Sequence, residues 1–258
     1  HVFSVDYTWD RRSIGPRRAD YASLGAGYSY AFSHAFPYSV SLEHGRSFSV
    51  YAKWYRPEFG GDYRDLLLSM DARAYVNNPL FDNNVLALRL NTIYAVGPDR
   101  PETFFLYGTQ GNSFLSAQSG RLFPLRGFFP GQAPFGAPEY SSGIVAAYME
   151  YRFPVWRIER GVWDLPFYAR ALHAALFVDA GNGFGRQLLG GRVQQVSLWQ
   201  GIRQVWGSFG AEVRLTLASG WAFPLTVRGG VGVPALVRGQ AVLGRTQPLF
   251  YVDLGTAI

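Results

Sequence analysis

Along most of the chain, large apolar residues alternate with Ser, Gly, Asp, Glu or Arg, a period of two that a β-strand turns into one apolar and one polar face. From Pro248 to the end, Phe250, Val252 and Leu254 share one face, while Tyr251, Asp253 and Gly255 share the other. Residues 221–233 set Phe223, Leu225, Val227, Val231 and Val233 against Ala222, Thr226, Arg228, Gly230 and Gly232. Residues 208–219 set Val213, Leu215 and Leu217 against Glu212, Arg214 and Thr216. Upstream, 84–97 opposes Leu86, Leu88, Leu90 and Tyr94 to Arg89 and Asn91, and 64–76 opposes Leu66, Leu68, Met70 and Val76 to Asp71 and Arg73. The same holds for 47–56 (Phe48, Val50 and Trp54 against Ser49, Tyr51 and Lys53), for 20–32 (Tyr28, Tyr30, Phe32) and for 1–9 (Phe3, Val5, Tyr7, Trp9). With 144–155 and 166–181 these make about ten strands of roughly the length a tilted membrane strand needs.

The shared polarity predicts a transmembrane antiparallel β-barrel wall, apolar outside and polar within, whose single domain takes in residues 1–258. A soluble all-β sandwich or propeller is the alternative, since single alternating strands occur there too. Connections alternate in length: 98–143, 182–204 and 234–248 are long, whereas 77–83 and 219–221 are short, as expected of extracellular loops and periplasmic turns. A strand over 33–46 would put His44 and Arg46 toward lipid, so these residues are expected to be an extended periplasmic connection. Trp9, Trp54 and Trp221 are expected near the membrane interfaces.

Composition narrows the picture. Aromatic residues make up 17% of the chain and 30 glycines punctuate it, which suits many strands ending in interfacial rings. Mean hydropathy is only -0.02, and no run of about 20 apolar residues exists to form a membrane helix. The absence of Cys excludes disulfides, thiolate metal sites and cysteine nucleophiles. The net charge of +6 comes almost wholly from Arg, since Lys53 is the one lysine, and the arginines are scattered rather than gathered into a nucleic-acid stripe.

The segment 98–143 is the least strand-like and carries Arg121-Leu122-Phe123-Pro124-Leu125-Arg126-Gly127-Phe128-Phe129-Pro130-Gly131. A loop of this length is functional or disordered. Phe123, Phe128, Phe129 and Phe135 favour a compact loop folded into the lumen, since a solvated one would not keep them. The next two strands place Glu150 and Asp179 on the inward face. A folded-in arginine needs carboxylate partners, so Arg126 is expected to pair with them, an interaction worth about 1–3 kcal/mol in a partly hydrated lumen.

Leu125-Arg126-Gly127-Phe128, with Glu150 and the Phe177 to Gly181 stretch, resembles the loop signature and acidic wall positions of the BamA/TamA/FhaC superfamily of outer-membrane barrels. The resemblance covers about residues 84–258; residues 1–83 share only the strand pattern and a Gly45-Arg46 turn. It implies a larger, sixteen-stranded wall whose missing segments neighbour the His1 strand, and a loop lock made of Arg126, Gly127, Phe128, Glu150 and Asp179. It also implies outer-membrane location, contact with lipid and with partner or substrate proteins, and a role in protein insertion, assembly or translocation without cofactor. The chain departs from the pattern in ending at Ile258 rather than an aromatic, and in lacking peptide-binding repeats before the barrel.

Other candidates are weak. His1, His34, His44 and His173 lack metal-ligand spacing, and His173 fits a polar lumen. Gly181-Asn182-Gly183-Phe184-Gly185 opens no helix and is expected to be a flexible loop rather than a nucleotide site. No hydrolase elbow, P-loop or zinc-protease motif occurs, so no catalytic residue, metal or cofactor is expected. Inward charges at Arg89, Arg152, Glu212, Arg214 and Arg228 serve equally a protein-handling barrel or a passive pore or membrane anchor.

Overall fold

The computed structural model describes residues 1–14, 17–34, 44–78, 81, 83–99, 103–109, 122–130, 132–161, 167–219, 223–242 and 246–256. Trp221, Arg121, Gly131, Ile258 and the side chain of Phe223 lie outside the described residues.

Period-two alternation becomes strands because each residue then meets one chemical environment along its whole face. The first five are β1 (Val2–Ile14), β2 (Arg17–His34), β3 (His44–Tyr55), β4 (Asp65–Asn77) and β5 (Val85–Val96). Two short strands follow, β6 (Phe105–Thr109) and β7 (Leu122–Arg126), which pair with each other in parallel. The wall resumes with β8 (Tyr140–Gly161) and β9 (Phe167–Leu189), continues through β10 (Arg192–Val196) and a short helix α1 (Leu198–Arg203), and ends with β11 (Trp206–Ser219), β12 (Phe223–Val237), β13 (Gln240–Ala241) and β14 (Leu249–Thr256).

Twelve of these strands form one antiparallel sheet in the order β1-β2-β3-β4-β5-β8-β9-β11-β12, with β10 beside β9 and both β13 and β14 beside β12. Setting aside the short additions β10 and β13, ten wall strands remain, at the places the alternation marked. Among the described residues β1 and β14 do not pair with each other, so the sheet is open. One end of the strands carries the connections at 56–64, 97–139, 190–205 and 238–248, and we call it the loop end.

The apolar positions share one face. Leu88, Leu90, Met149, Val178, Val213, Phe250, Val252 and Leu254 are all exposed there, Val213 by 49% and Val252 by 75%. Trp9 and Trp54 share that face, with Trp9 opposite Ala22 and Trp54 opposite Leu24, toward the loop end. On the opposite face Arg89, Tyr148, Glu150, Phe177, Asp179, Glu212 and Arg228 are buried. A second core forms there, where Phe104, Leu106, Phe123, Leu125 and Phe128 pack with Ala87, Ile144, Ala146, Tyr148 and Trp206.

Several expectations need correction. Residues 33–34 and 44–46, expected in a connection, belong to β2 and β3: His34 pairs with His44, and Arg46 with Phe32 and Ala74. Arg46 sits close to the strand end, where a long side chain can reach polar surroundings. The span 182–204 is not all loop, since β9 runs to Leu189 and hairpins into β10, a ladder that satisfies its backbone groups. The stretch 181–185 is buried strand rather than flexible loop. Its glycines admit close neighbours: a Cβ on Gly183 would stand 2.0 Å from Ser141 Oγ, and Gly185 has φ +77°.

Candidate functional site

The register lines up inward residues of successive strands into rows. One row runs Tyr148, Asp179, Ser208; the next Glu150, Phe177, Gly210, Gly232; the third Arg152, Ala175, Glu212, Gly230, Tyr251. Each row therefore supplies one acid, and the three acids come from β8, β9 and β11.

Arg126, the last residue of β7, sits over these rows with its side chain fully buried. Its guanidinium meets Asp179 side-on, Nε donating to Oδ2 at 2.9 Å and Nη2 to Oδ1 at 2.7 Å. Nη1 donates to Glu150 Oε1 at 2.6 Å and to Glu212 Oε1 at 3.2 Å, and the Arg126 amide donates to Asp179 Oδ2 at 3.0 Å. The guanidinium plane stacks on the Phe177 ring, 3.8 Å from its centroid, which adds a cation–π attraction. Planar, forked and permanently charged, arginine is the one side chain that can meet three acids and an aromatic face together.

The acids have further partners. Arg152 Nε donates to Glu150 Oε2 at 2.7 Å, Arg214 Nη2 reaches Glu150 Oε1 at 3.1 Å and Glu212 Oε2 at 2.5 Å, and the Tyr251 hydroxyl donates to Glu212. Arg126, Arg152 and Arg214 thus balance Glu150, Asp179 and Glu212, three charges against three. Neutrality matters because a buried unpaired charge is costly. The side chains of Arg126, Glu150, Asp179 and Glu212 are fully buried, and removing one partner of such a buried cluster costs about 3–5 kcal/mol.

Glycines make room for the loop. Gly127 has φ +80°, which a side chain would strain, and a Cβ there would come 3.1 Å from Gly232 C and from Val233 N. A Cβ on Gly232 would come 2.6 Å from Gly127 Cα, so two backbones lie directly on one another. Gly210 leaves space for the Phe177 ring, 2.5 Å from its would-be Cβ. Phe128 is buried beside them, as is Phe123. Phe129 and Phe135, however, are 70% and 89% exposed, which corrects the expectation that all four loop phenylalanines are buried. The Phe135 carbonyl instead accepts from Trp206 Nε1 at 3.1 Å.

The other inward charges pair among themselves. Arg89 binds Asp71, Nε to Oδ2 at 2.7 Å, and Asp71 also accepts from Arg73 at 2.8 Å. Arg228 lies 3.4 Å from Asp253. His173 is buried on the inward face opposite Arg214. His1 bonds the Tyr28 hydroxyl at 2.8 Å, and among the described residues no group of three or more His, Asp or Glu side chains could hold a metal ion.

In the sequence Glu212 shows only as an inward charge, and nothing marks Tyr251 or the bare glycines as parts of the cluster. Gly230 lies between Glu212 and Tyr251 in the same row and clears a path, since a Cβ there would meet the Tyr251 ring at 2.7 Å. The same device recurs where Tyr51 reaches over Gly25 and donates to Asp6 at 2.8 Å.

No protein-family model matches the chain, and no curated protein matches it. Its fold is similar to the crystal structure of BamA from Haemophilus ducreyi lacking POTRA domains 1-3, with a TM-score of 0.56 and 15% sequence identity. The similarity covers 95% of this chain and 46% of that one, so the chain spans about half the length of that BamA structure.

Proposed function

We propose that the chain is the wall of an outer-membrane β-barrel of the BamA-like superfamily, acting in insertion, assembly or translocation of proteins. The observation that carries this reading is the seat of Arg126 among Glu150, Asp179 and Glu212, with Gly127 resting on Gly232. A passive channel gains nothing from filling its interior with a dry, charge-neutral anchor for one loop.

The exposed apolar face supports lipid contact, since exposed Val, Leu and Phe on strand after strand are costly in water and favourable in hydrocarbon. In this reading residues 1–258 form a barrel domain whose inward face the loop plugs. Strand edges cannot face lipid unpaired, so further strands adjoin β1 and β14 and complete a larger ring, about sixteen strands in all. An edge that opens there would offer backbone groups to an incoming strand, with the free energy of insertion supplied by strand pairing and lipid burial.

The test is to refold the barrel, this chain together with the strands that adjoin it, into lipid vesicles and follow insertion of an unfolded eight-stranded outer-membrane barrel. Faster client folding than in empty vesicles, slowed again by Arg126→Ala, is expected. Steady ion conductance with no acceleration of client folding would instead establish the pore or anchor reading.

A further inference from the structure

The helix α1 leaves the sheet on its apolar side. Asn182, whose place in β9 shares the outward parity of Val178 and Phe184, donates through Nδ2 to the Gly201 carbonyl. A Cβ on Gly201 would touch Gly183 O at 3.2 Å and Phe184 Cβ at 3.4 Å, so the helix lies directly on that face. Asn182 also holds the Gly183 amide at 2.6 Å, which satisfies a polar side chain at a position otherwise facing lipid.

Three sides of α1 differ in chemistry. Gly201 faces the sheet; Leu198, Trp199 and Ile202 are exposed, Trp199 by 75%; Gln200 and Gln204 form a third side. That third side lines a groove of about 470 Å³ together with Gln194, Gln195, Gln240 and Arg238. The β12–β13 turn brings Arg238 to the end of α1, because a Cβ on Gly239 would stand 2.0 Å from the Arg203 carbonyl and the Gly239 amide donates to Val205 O at 2.9 Å. Arg203 and Arg238 are both exposed. No acid occurs between Asp179 and Glu212 or between Glu212 and Asp253. At the loop end Glu58 and Asp62 lie between β3 and β4 and Asp99 follows β5, while the Glu139 amide donates to the Leu188 carbonyl on the β8 side of β9.

We propose that α1 is an interfacial foot that binds an anionic lipid at the loop end of the barrel. Leu198, Trp199 and Ile202 enter the acyl region, Arg203 and Arg238 hold the headgroup phosphate, and the glutamine amides of the groove bond its hydroxyls. The charge balance names the occupant: a surface of arginines without acids, beside an apolar helix side continuous with the outward face, fits a negatively charged amphiphile. An exposed tryptophan beside that surface is the side chain most favoured at a membrane interface.

The proposal rests on the membrane reading of the wall, and one experiment separates the two. Because the chain has no cysteine, Trp199→Cys and Leu215→Cys can each carry a single fluorescent label in the full chain refolded into phosphatidylcholine vesicles. Brominated lipid should quench both labels. An unquenched Leu215→Cys label overturns the membrane wall itself, whereas quenching there without quenching at Trp199→Cys overturns the foot alone. Brominated phosphatidylglycerol should quench the Trp199→Cys label several-fold more than brominated phosphatidylcholine at equal content. The preference should vanish when Arg203→Gln and Arg238→Gln are added, and equal quenching by the two lipids before that change overturns the headgroup site.

Discussion

The Nε and Nη2 edge of Arg126 lies against both oxygens of Asp179, at 2.9 and 2.7 Å, in a cluster closed to water. This fork ties a loop strand, β7, to a wall strand, β9, alongside the stacking of Arg126 on Phe177. Arg126→Ala should leave three acids facing only two arginines and release the loop while the wall stays folded. Chymotrypsin cleavage after the buried Phe128 should become at least about 100-fold faster, as expected for a loss of about 3–5 kcal/mol. Arg126→Lys should recover little, because an ammonium has neither the fork nor the flat face that stacks on Phe177.

Gly232→Ala tests the backbone contact without touching any charge. The added methyl meets Gly127 Cα at 2.6 Å, and neither backbone can yield, so the loop should lift at a cost of about 1–3 kcal/mol. Protease sensitivity at 122–130 should rise while urea unfolding of the wall changes little.

Tyr251→Phe removes the hydroxyl that β14 extends over Gly230 to Glu212. A hydrogen bond to a charged group contributes about 1.5–3 kcal/mol, and Glu212 keeps Arg126 and Arg214, so the loss should fall in that range. Urea unfolding in vesicles should register it as a lower midpoint with an unchanged slope.

Val213→Arg distinguishes lipid from water outside the wall. Val213 is 49% exposed, so arginine there would be harmless in a soluble protein. In a bilayer near its midplane it should cost about 2–4 kcal/mol. Unchanged refolding yield and stability in vesicles would falsify the membrane assignment.

The faces of the wall were legible because a period of two survives any choice of strand partner. That is why Val213 and Glu212, or Val252 and Tyr251, fall on the sides their parity assigns. Arg126, Glu150 and Asp179 were legible for a related reason: two inward acids and the one basic residue of the tight Leu125 to Pro130 stretch leave few ways to balance charge. Glu212 and Tyr251 joined the cluster unseen, since they meet only through the register of β11, β12 and β14, which alternation does not encode. The roles of Gly210, Gly230 and Gly232 were hidden likewise, because a glycine reads as a break until one knows what lies over it. Helix α1 is too short for a helical period to show, although Ser197 and Gln200 form a capping box, the one local sign of it. Phe129 and Phe135 misled because composition favours burying an aromatic without saying which one finds room.

The bare meeting of Gly127 and Gly232 behaves as a keyhole. Sliding β12 by one residue would turn Val231 or Val233 inward at that spot, and sliding it by two would present Pro234 or Gly230, the latter already roofed by Tyr251. The loop can therefore close only on a wall whose late strands are threaded correctly, and its closure is itself a proofreading of how the sheet was assembled.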